Sequence, residues 1–139
     1  MSVNQNASLS KLSDTGQTVA NADEDIRGRN VKAKDGQHLG KVDDLLIDDR
    51  ERKVRFLRVE HGGILGFGDT KSFIPVDAIT RITKDDVFID RSPEHVATAP
   101  RYDPDLVSQL GFYGDLYGHY GFVPFWGLGY AYPGYPYYK

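Results

Sequence analysis

Residues 35–48 read DGQHLGKVDDLLID, and this stretch decides how the chain can fold. Its Asp35-Gly36 dipeptide is typical of a tight type I′ turn, in which both central residues take a positive φ. Apolar and polar side chains then alternate from His38 to Asp48, which favours a β-strand. The stretch therefore predicts a hairpin whose second strand runs to Asp48.

The alternation in this second strand changes phase at the Asp43-Asp44 pair. Val42 lies on one face of a regular strand, whereas Leu45 and Ile47 lie on the other. A β-bulge or a sharp bend at the aspartate pair brings both sets of apolar residues into contact with a core. Strands bend in this way at the corners of small barrels, so the pattern predicts a coiled strand.

Other segments continue the same pattern. Strands are predicted at residues 29–33, before the turn, and at residues 53–60, where the phase changes again. A further strand passes through residues 73 and 74 and stops at Pro75, which cannot donate a ladder hydrogen bond, and a last one covers residues 86–90. Ser92 and Pro93 predict the start of a short helix. The sequence therefore predicts a mainly β fold: a small coiled β-barrel with a short helical C-terminal extension and an aromatic tail.

Composition divides the chain into three parts. We expect a disordered polar arm at residues 1–24, a barrel domain at residues 25–99, and a Tyr/Gly/Pro-rich tail at residues 100–139. The 17 basic and 20 acidic residues give a net charge of −3, which offers no general attraction to nucleic acid. The chain has no cysteine. This excludes disulfides, thiol nucleophiles and cysteine-ligated metals, and it fits a cytoplasmic location.

Four short motifs follow one another at spacings that resemble a known family. They are Arg29-Asn30-Val31 before the turn, Leu39-Gly40-Lys41-Val42 and Leu46-Ile47-Asp48 in the second strand, and Phe73-Ile74-Pro75 before Ile79. Over residues 25–93 this set resembles the PRC-barrel family, which includes the cytoplasmic domain of the photosynthetic reaction-centre H subunit and the C-terminal domain of the ribosome maturation factor RimM. The resemblance implies a stand-alone bacterial barrel that docks on other proteins or on itself, with no catalytic residues to carry over.

The residues that could carry chemistry favour the same class of protein. The glycine-rich loop at residues 61–69 has no Gly-x-Ser-x-Gly elbow and no ordered dinucleotide fingerprint, and its Leu65 and Phe67 would cover a barrel end or contact a partner. The four histidines stand far apart, and arginines near the acidic pairs would neutralise them. We therefore expect no enzyme, no catalytic residue, no cofactor and no metal site. The leading hypothesis is a non-catalytic oligomerising or adaptor module for protein–protein interaction, with a homodimer as its first state.

One basic segment leaves another function open. It contains Arg50, Arg52, Arg55 and Arg58, and on an exposed strand face these arginines would suit RNA, a ribosome or an acidic protein. Interleaved acidic residues weaken this alternative and disfavour nucleic acid as a partner.

All nine tyrosines and the only tryptophan lie beyond residue 101. Tyr113, Tyr117 and Tyr120 recur at helical spacing and predict a helix near residues 104–117, although its glycines would leave it frayed without a surface to lie on. Uncharged residues with several prolines follow, which excludes a transmembrane segment. Three alternatives remain for the tail: disorder, packing on the barrel or on a sister subunit, and peripheral contact with a membrane. We expect these three tyrosines and Trp126 to be interaction residues.

Overall fold

The computed structural model describes residues 8–15, 22–62, 71–101 and 110–138 of the chain. Within these residues, seven strands form one sheet: β1 Leu9–Lys11, β2 Asn30–Lys32, β3 His38–Asp48, β4 Val54–Glu60, β5 Lys71–Pro75, β6 Ile79–Ile82 and β7 Asp86–Ile89. The α-helices are α1 Leu12–Thr15, α2 Pro93–Ala97 and α3 Leu110–Tyr120, and 3₁₀ turns cover Ala22–Glu24 and Val76–Ala78. The fold is mainly β, as the sequence predicts.

The strand β3 is the centre of the sheet. The strands follow the order β5-β4-β3-β2-β7-β6, and β1 pairs with the last residues of β3. Paired strands are antiparallel, except that β2 and β7 run parallel. β3 therefore pairs with β2 and β1 along one edge and with β4 along the other. The two sides of the sheet are joined through this long strand.

The predicted bulge in β3 is confirmed. Val42 pairs with Val59 of β4 and Asp44 pairs with Arg58, so Asp43 is an extra residue between two ladder pairs. A bulge of this kind bends its strand and increases the local twist. The bend curls the sheet around its core, which agrees with the barrel prediction.

The turn before β3 differs from the prediction. Gly36 takes a positive φ of 88°, whereas Asp35 does not take a positive φ. The Gly36 N–H donates to the Ala33 carbonyl at 2.9 Å, and the Asp35 carboxylate accepts the Gln37 N–H at 2.9 Å. The loop is therefore a type I turn followed by a left-handed glycine. The type I′ prediction is wrong because the Asp35 side chain closes the turn through its own hydrogen bond.

Part of the N-terminal arm packs on β3, although the sequence predicts disorder over residues 1–24. β1 pairs with the end of β3, Leu12 is buried, and Ser13 Oγ donates to the Asp44 carboxylate at 2.5 Å. A polar segment can take this position because β3 offers backbone hydrogen bonds along an edge that β2 does not reach. Residues 1–7 and 16–21 lie outside the described residues.

The strand β6 is an element that the sequence pattern does not predict. Thr80 and Arg81 are exposed, so only the ends of the strand carry apolar side chains. β6 forms because β7 follows after a tight turn, in which the Thr83 N–H donates to the Asp86 carbonyl at 2.8 Å. A short edge strand takes its conformation from its partner more than from its own residues.

The C-terminal tail packs against the barrel. The side chains that α3 buries are Phe112, Tyr113, Leu116, Tyr117 and Tyr120. A helix is predicted near residues 104–117; α3 covers residues 110–120, and residues 102–109 lie outside the described residues. Packing on the barrel, not disorder, therefore describes residues 110–138. Among the described residues, we find no helix with the length and apolar character needed to cross a membrane.

Gly40 and Gly118 should respond in opposite ways to substitution by alanine. Gly40 takes a φ of +145°, and a Cβ atom there would overlap the Glu60 carbonyl of β4, whereas Gly118 lies inside α3 with open space around its Cβ position. We expect Gly40→Ala to lower the free energy of unfolding by about 3 kcal/mol, and Gly118→Ala to raise it by about 0.5–1 kcal/mol. Urea unfolding measures both changes. A Gly40→Ala variant as stable as the wild type would contradict this close approach of β3 and β4.

Candidate interaction site

Arg55 lies at the centre of the contact between the barrel and the tail. Leu46 of β3 pairs with Phe56 of β4 and Ile47 pairs with Val54, so Arg55 is the extra residue of a second bulge. It is only 2% exposed. A bulge changes the direction in which the side chain of its extra residue points. β4 can therefore bury one charged residue among apolar neighbours.

Two carboxylates neutralise this buried guanidinium. Arg55 Nη2 donates to Asp48 Oδ2 at 2.8 Å and to Glu51 Oε1 at 2.9 Å. Asp48 is also buried, and it accepts the backbone N–H of Arg50 at 2.8 Å. A buried charge is strongly unfavourable without a partner. Arg55 and Asp48 therefore depend on each other.

Three aromatic rings of the tail surround the same guanidinium. The Arg55 Cζ atom lies 4.5 Å from the ring centre of Phe125, 5.2 Å from that of Tyr132 and 5.6 Å from that of Tyr130. Each cation–π contact of this kind contributes about 0.5–2 kcal/mol. We use the name Arg55 cluster for Arg55, Asp48, Glu51, Phe125, Tyr130 and Tyr132.

Tyrosine hydroxyl groups of the tail form hydrogen bonds with the backbone of earlier parts of the chain. Each donates to a carbonyl oxygen that the tail covers. The pairs are Tyr132 with Val54 at 3.1 Å, Tyr138 with Val76 at 2.7 Å, and Tyr135 with Glu24. Because tyrosine combines a large apolar ring with a polar tip, it can bury surface and satisfy a backbone acceptor together.

Aromatic rings of the barrel pack against α3. The ring centre of Phe56 lies 5.2 Å from that of Tyr113 and 4.8 Å from that of Tyr117, and Phe73 lies 5.9 Å from Tyr113. Tyr113, Tyr117 and Tyr120 are all buried. The sequence predicts these tyrosines as interaction residues; in the structure the surface that they contact is the chain's own barrel.

A half-buried carboxylate lies beside the Arg55 cluster. Asp77 belongs to the 3₁₀ turn after β5, and its Oδ1 atom is buried with no hydrogen bond to any described residue. Burial raises the pKa of Asp77, while the neighbouring Tyr130 and Arg55 oppose the shift. Burial also raises the pKa of Tyr117 and of Tyr130 above the usual tyrosine range. The phenols therefore stay neutral at physiological pH.

The arginines predicted as one basic face are separated in the structure. Arg58 Nε donates to Asp43 Oδ1 at 2.9 Å, and Lys71 Nζ donates to the same carboxylate at 2.7 Å. Arg50 and Arg52 are exposed in the turn after β3. Two of the four predicted arginines are thus held in ion pairs within the domain, and two face water.

One loop of the tail presents apolar side chains to solvent. We define the apolar loop as residues 121–129. Among the described residues, the exposed large hydrophobic side chains are Val123 (45%), Leu128 (87%) and Tyr137 (61%), and the first two lie in this loop. Trp126 is half-buried, with its ring 5.9 Å from that of a buried α3 tyrosine. The loop therefore packs on the domain on one side and exposes two apolar side chains on the other.

A buried histidine links three strands of the barrel. His61 Nδ1 donates to the Leu39 carbonyl at 2.5 Å, and His61 Nε2 accepts the Ser72 hydroxyl at 2.7 Å. Burial lowers the pKa of His61, so the ring is neutral at physiological pH. Both ring nitrogens are thus used in hydrogen bonds between strands, and the pocket beside the ring is lined by His38, Gly40, Lys41, Glu60, His61 and Gly62. The geometry thus supports a structural role for the Ser72–His61 pair.

A comparison with family models identifies the barrel. The model described as PRC-barrel domain matches residues 19–96, more than half of the chain. The chain therefore belongs to the PRC-barrel family, a family of interaction modules that are generally non-catalytic. The match contains β2 to β7, whereas β1 and α3 lie outside it. No curated protein matches the chain.

The sequence predicts only part of this site. It predicts Arg55 and Trp126 as interaction residues, but not Asp77, Tyr130 or Tyr132. One signal was present in the sequence: an arginine within a run of apolar strand residues needs a buried partner. The predicted contact residues Leu65 and Phe67 lie outside the described residues.

Removal of the Arg55 side chain should destabilise the whole domain. Arg55→Ala leaves the Asp48 carboxylate buried without its cation, so we expect the free energy of unfolding to fall by about 3–5 kcal/mol. Arg55→Lys should be intermediate, because an ammonium group restores the charge but not the planar contact with the rings. Urea unfolding at pH 7 measures these losses. Arg50→Ala is the exposed control, and an Arg55→Ala loss no larger than that of the control would contradict this role.

Asp77 should make stability depend on pH. Because burial raises its pKa, the folded chain holds this proton more tightly than the unfolded chain, and the contribution of Asp77 to stability falls as pH rises through the folded pKa. We therefore expect Asp77→Asn to be more stable than the wild type at pH 7, with a gain that vanishes near pH 3.5. Urea titrations across this range test the sign, with Asp85→Asn in an exposed turn as the control. A gain that increases toward low pH would contradict burial as the cause.

Proposed function

We propose that the chain is a non-catalytic oligomerising adaptor, in which residues 25–99 form the scaffold and residues 100–139 form the interaction element. Its first partner is a second copy of the same chain. One observation carries the proposal: Val123 and Leu128 face solvent from a loop whose larger rings pack on the domain.

An apolar loop on a rigid support is suited to binding. Phe122, Phe125 and Trp126 pack against the core and fix the loop. A loop that is already ordered loses little conformational entropy when it binds. Burial of an exposed leucine or valine then contributes about 1.5–3 kcal/mol per side chain. The loop can therefore contribute affinity without a rearrangement of the barrel.

The charge distribution favours contact between two copies. In a two-fold symmetric interface, each residue near the axis meets its own copy, so any charge there meets a like charge. From Tyr120 to Tyr138 the sequence has no charged residue. A symmetric contact centred on the apolar loop therefore avoids repulsion.

The RNA-associated alternative has weaker support. Phosphate binding requires exposed Lys or Arg side chains that can replace the counterions of the nucleic acid. Arg55 and Arg58 are instead paired with Asp48 and Asp43 inside the domain. The basic face on which that alternative depends is thus reduced to two turn residues.

Light scattering over a range of chain concentrations tests self-association. We expect the wild type to reach twice its chain mass of 15.6 kDa. Leu128→Asp should raise the dimer Kd by more than about a hundredfold, because a symmetric interface loses two leucines at about 1.5 kcal/mol or more each. Thr80→Asp, at an exposed position of β6, is the matched control and should leave the mass unchanged.

Two outcomes would overturn parts of the proposal. A wild type that stays monomeric at all concentrations would exclude self-association, and a dimer that Leu128→Asp leaves intact would exclude the apolar loop as its surface. Co-sedimentation of the monomer with lipid vesicles, lost in Leu128→Asp, would favour a membrane interface as the partner of this loop.

A further inference from the structure

Two histidines join the tail to the barrel domain at the end of α3. His95 lies in α2 and His119 lies in the last turn of α3, with their ring centres 4.3 Å apart. His95 Nε2 lies 2.8 Å from the backbone oxygen of His119, and His119 Nε2 lies 2.7 Å from the backbone oxygen of His95. We call this reciprocal contact the histidine pair.

The acceptors determine which nitrogen of each ring carries the proton. A carbonyl oxygen can only accept, so both Nε2 atoms donate, and both Nδ1 atoms are unprotonated when the rings are neutral. A further proton must therefore enter at Nδ1 and make the ring cationic. The first such charge keeps both hydrogen bonds. The second places two positive charges on rings whose centres are 4.3 Å apart.

The charged groups around the pair tolerate one cation better than two. His119 stands near the C-terminal end of α3, where the helix dipole favours a positive charge. Arg91 already donates to the Tyr120 carbonyl at this end. The neighbouring carboxylates are Asp90 before α2, which pairs with Arg91, Glu94 on α2 and Asp115 on α3, and all three are exposed. Water screens such exposed carboxylates, so they offset the repulsion between the stacked rings only in part.

We propose that the histidine pair is an acid-operated latch that holds α3 on the barrel while at least one ring is neutral and releases α3 when both rings are protonated. The inference rests on the proposed function, because the tail that it releases is the interaction element. Histidine side chains in general gain their proton between pH 7 and pH 5.

Release changes the surface that the domain offers. Phe56 and Phe73 lie beneath α3 and make ring contacts with its tyrosines. When α3 loosens, these rings become accessible, and the apolar loop loses the support that α3 gives to Trp126. The apolar loop itself has no titratable residue. Acid thus acts on the proposed contact surface through α3, which supports the loop.

Hydrogen–deuterium exchange of the full chain at pH 7.5 and pH 5 tests the latch. After correction for intrinsic exchange, we expect the protection of peptides from α3 to fall at least tenfold at pH 5, while peptides from β3 change less. Burial also lowers the pKa of His61, and we expect protonation of that residue to act on the barrel strands that it links. The comparison of α3 with β3 separates the two effects.

His95→Gln and His119→Gln are the decisive variants. Glutamine retains an N–H donor but cannot become cationic, so either variant should keep the protection of α3 at pH 5 within about twofold of its value at pH 7.5. His38→Gln, on a barrel strand, is the control and should lose protection like the wild type.

Unchanged protection of α3 in the wild type, or a loss that persists in both glutamine variants, would overturn the latch. The oligomeric mass of the wild type at pH 7.5 tests the proposed function separately, because that measurement does not involve acid.

Discussion

The burial of the Arg55 guanidinium is the constraint on which the rest of the structure depends. A cation in the interior is tolerated only with a carboxylate and polarizable neighbours around it. The barrel supplies Asp48 from the end of β3, and the tail supplies the ring of Phe125. Neither part alone completes this environment. The barrel and the tail are therefore one packing unit, although the family match ends at residue 96, before the tail begins.

This shared interior also determines which surfaces remain for partners. The buried tyrosines of α3 contact the barrel, so the aromatic richness of the tail is mostly internal. Among the described residues, the large apolar side chains that the tail exposes are Tyr137 and, on the apolar loop, Val123 and Leu128. A short, uncharged apolar loop that packs on the domain fits a protein whose family is an interaction module, and the histidine pair lies at the end of α3, which supports this loop.

The sequence predicted the parts that local pattern controls. β3 and its bulge at Asp43 follow from alternation within one strand, and Ser92 caps α2 as expected. The packing of the tail could not be predicted in this way. It depends on hydrogen bonds across long sequence separations, such as that from Tyr132 to the Val54 carbonyl. The sequence likewise could not show that the face of β4 carrying Arg55 is covered. The alternation of apolar and polar residues does not reveal which segment covers each face of a strand.

The most direct test compares two probes of the same urea unfolding transition. Trp126 is the only tryptophan, so its fluorescence reports the tail, whereas far-UV circular dichroism reports mainly the sheet. If the barrel and the tail share one interior, both probes must give the same midpoint and slope at pH 7.5. A fluorescence transition that is complete at a urea concentration where the sheet is still folded would contradict the account.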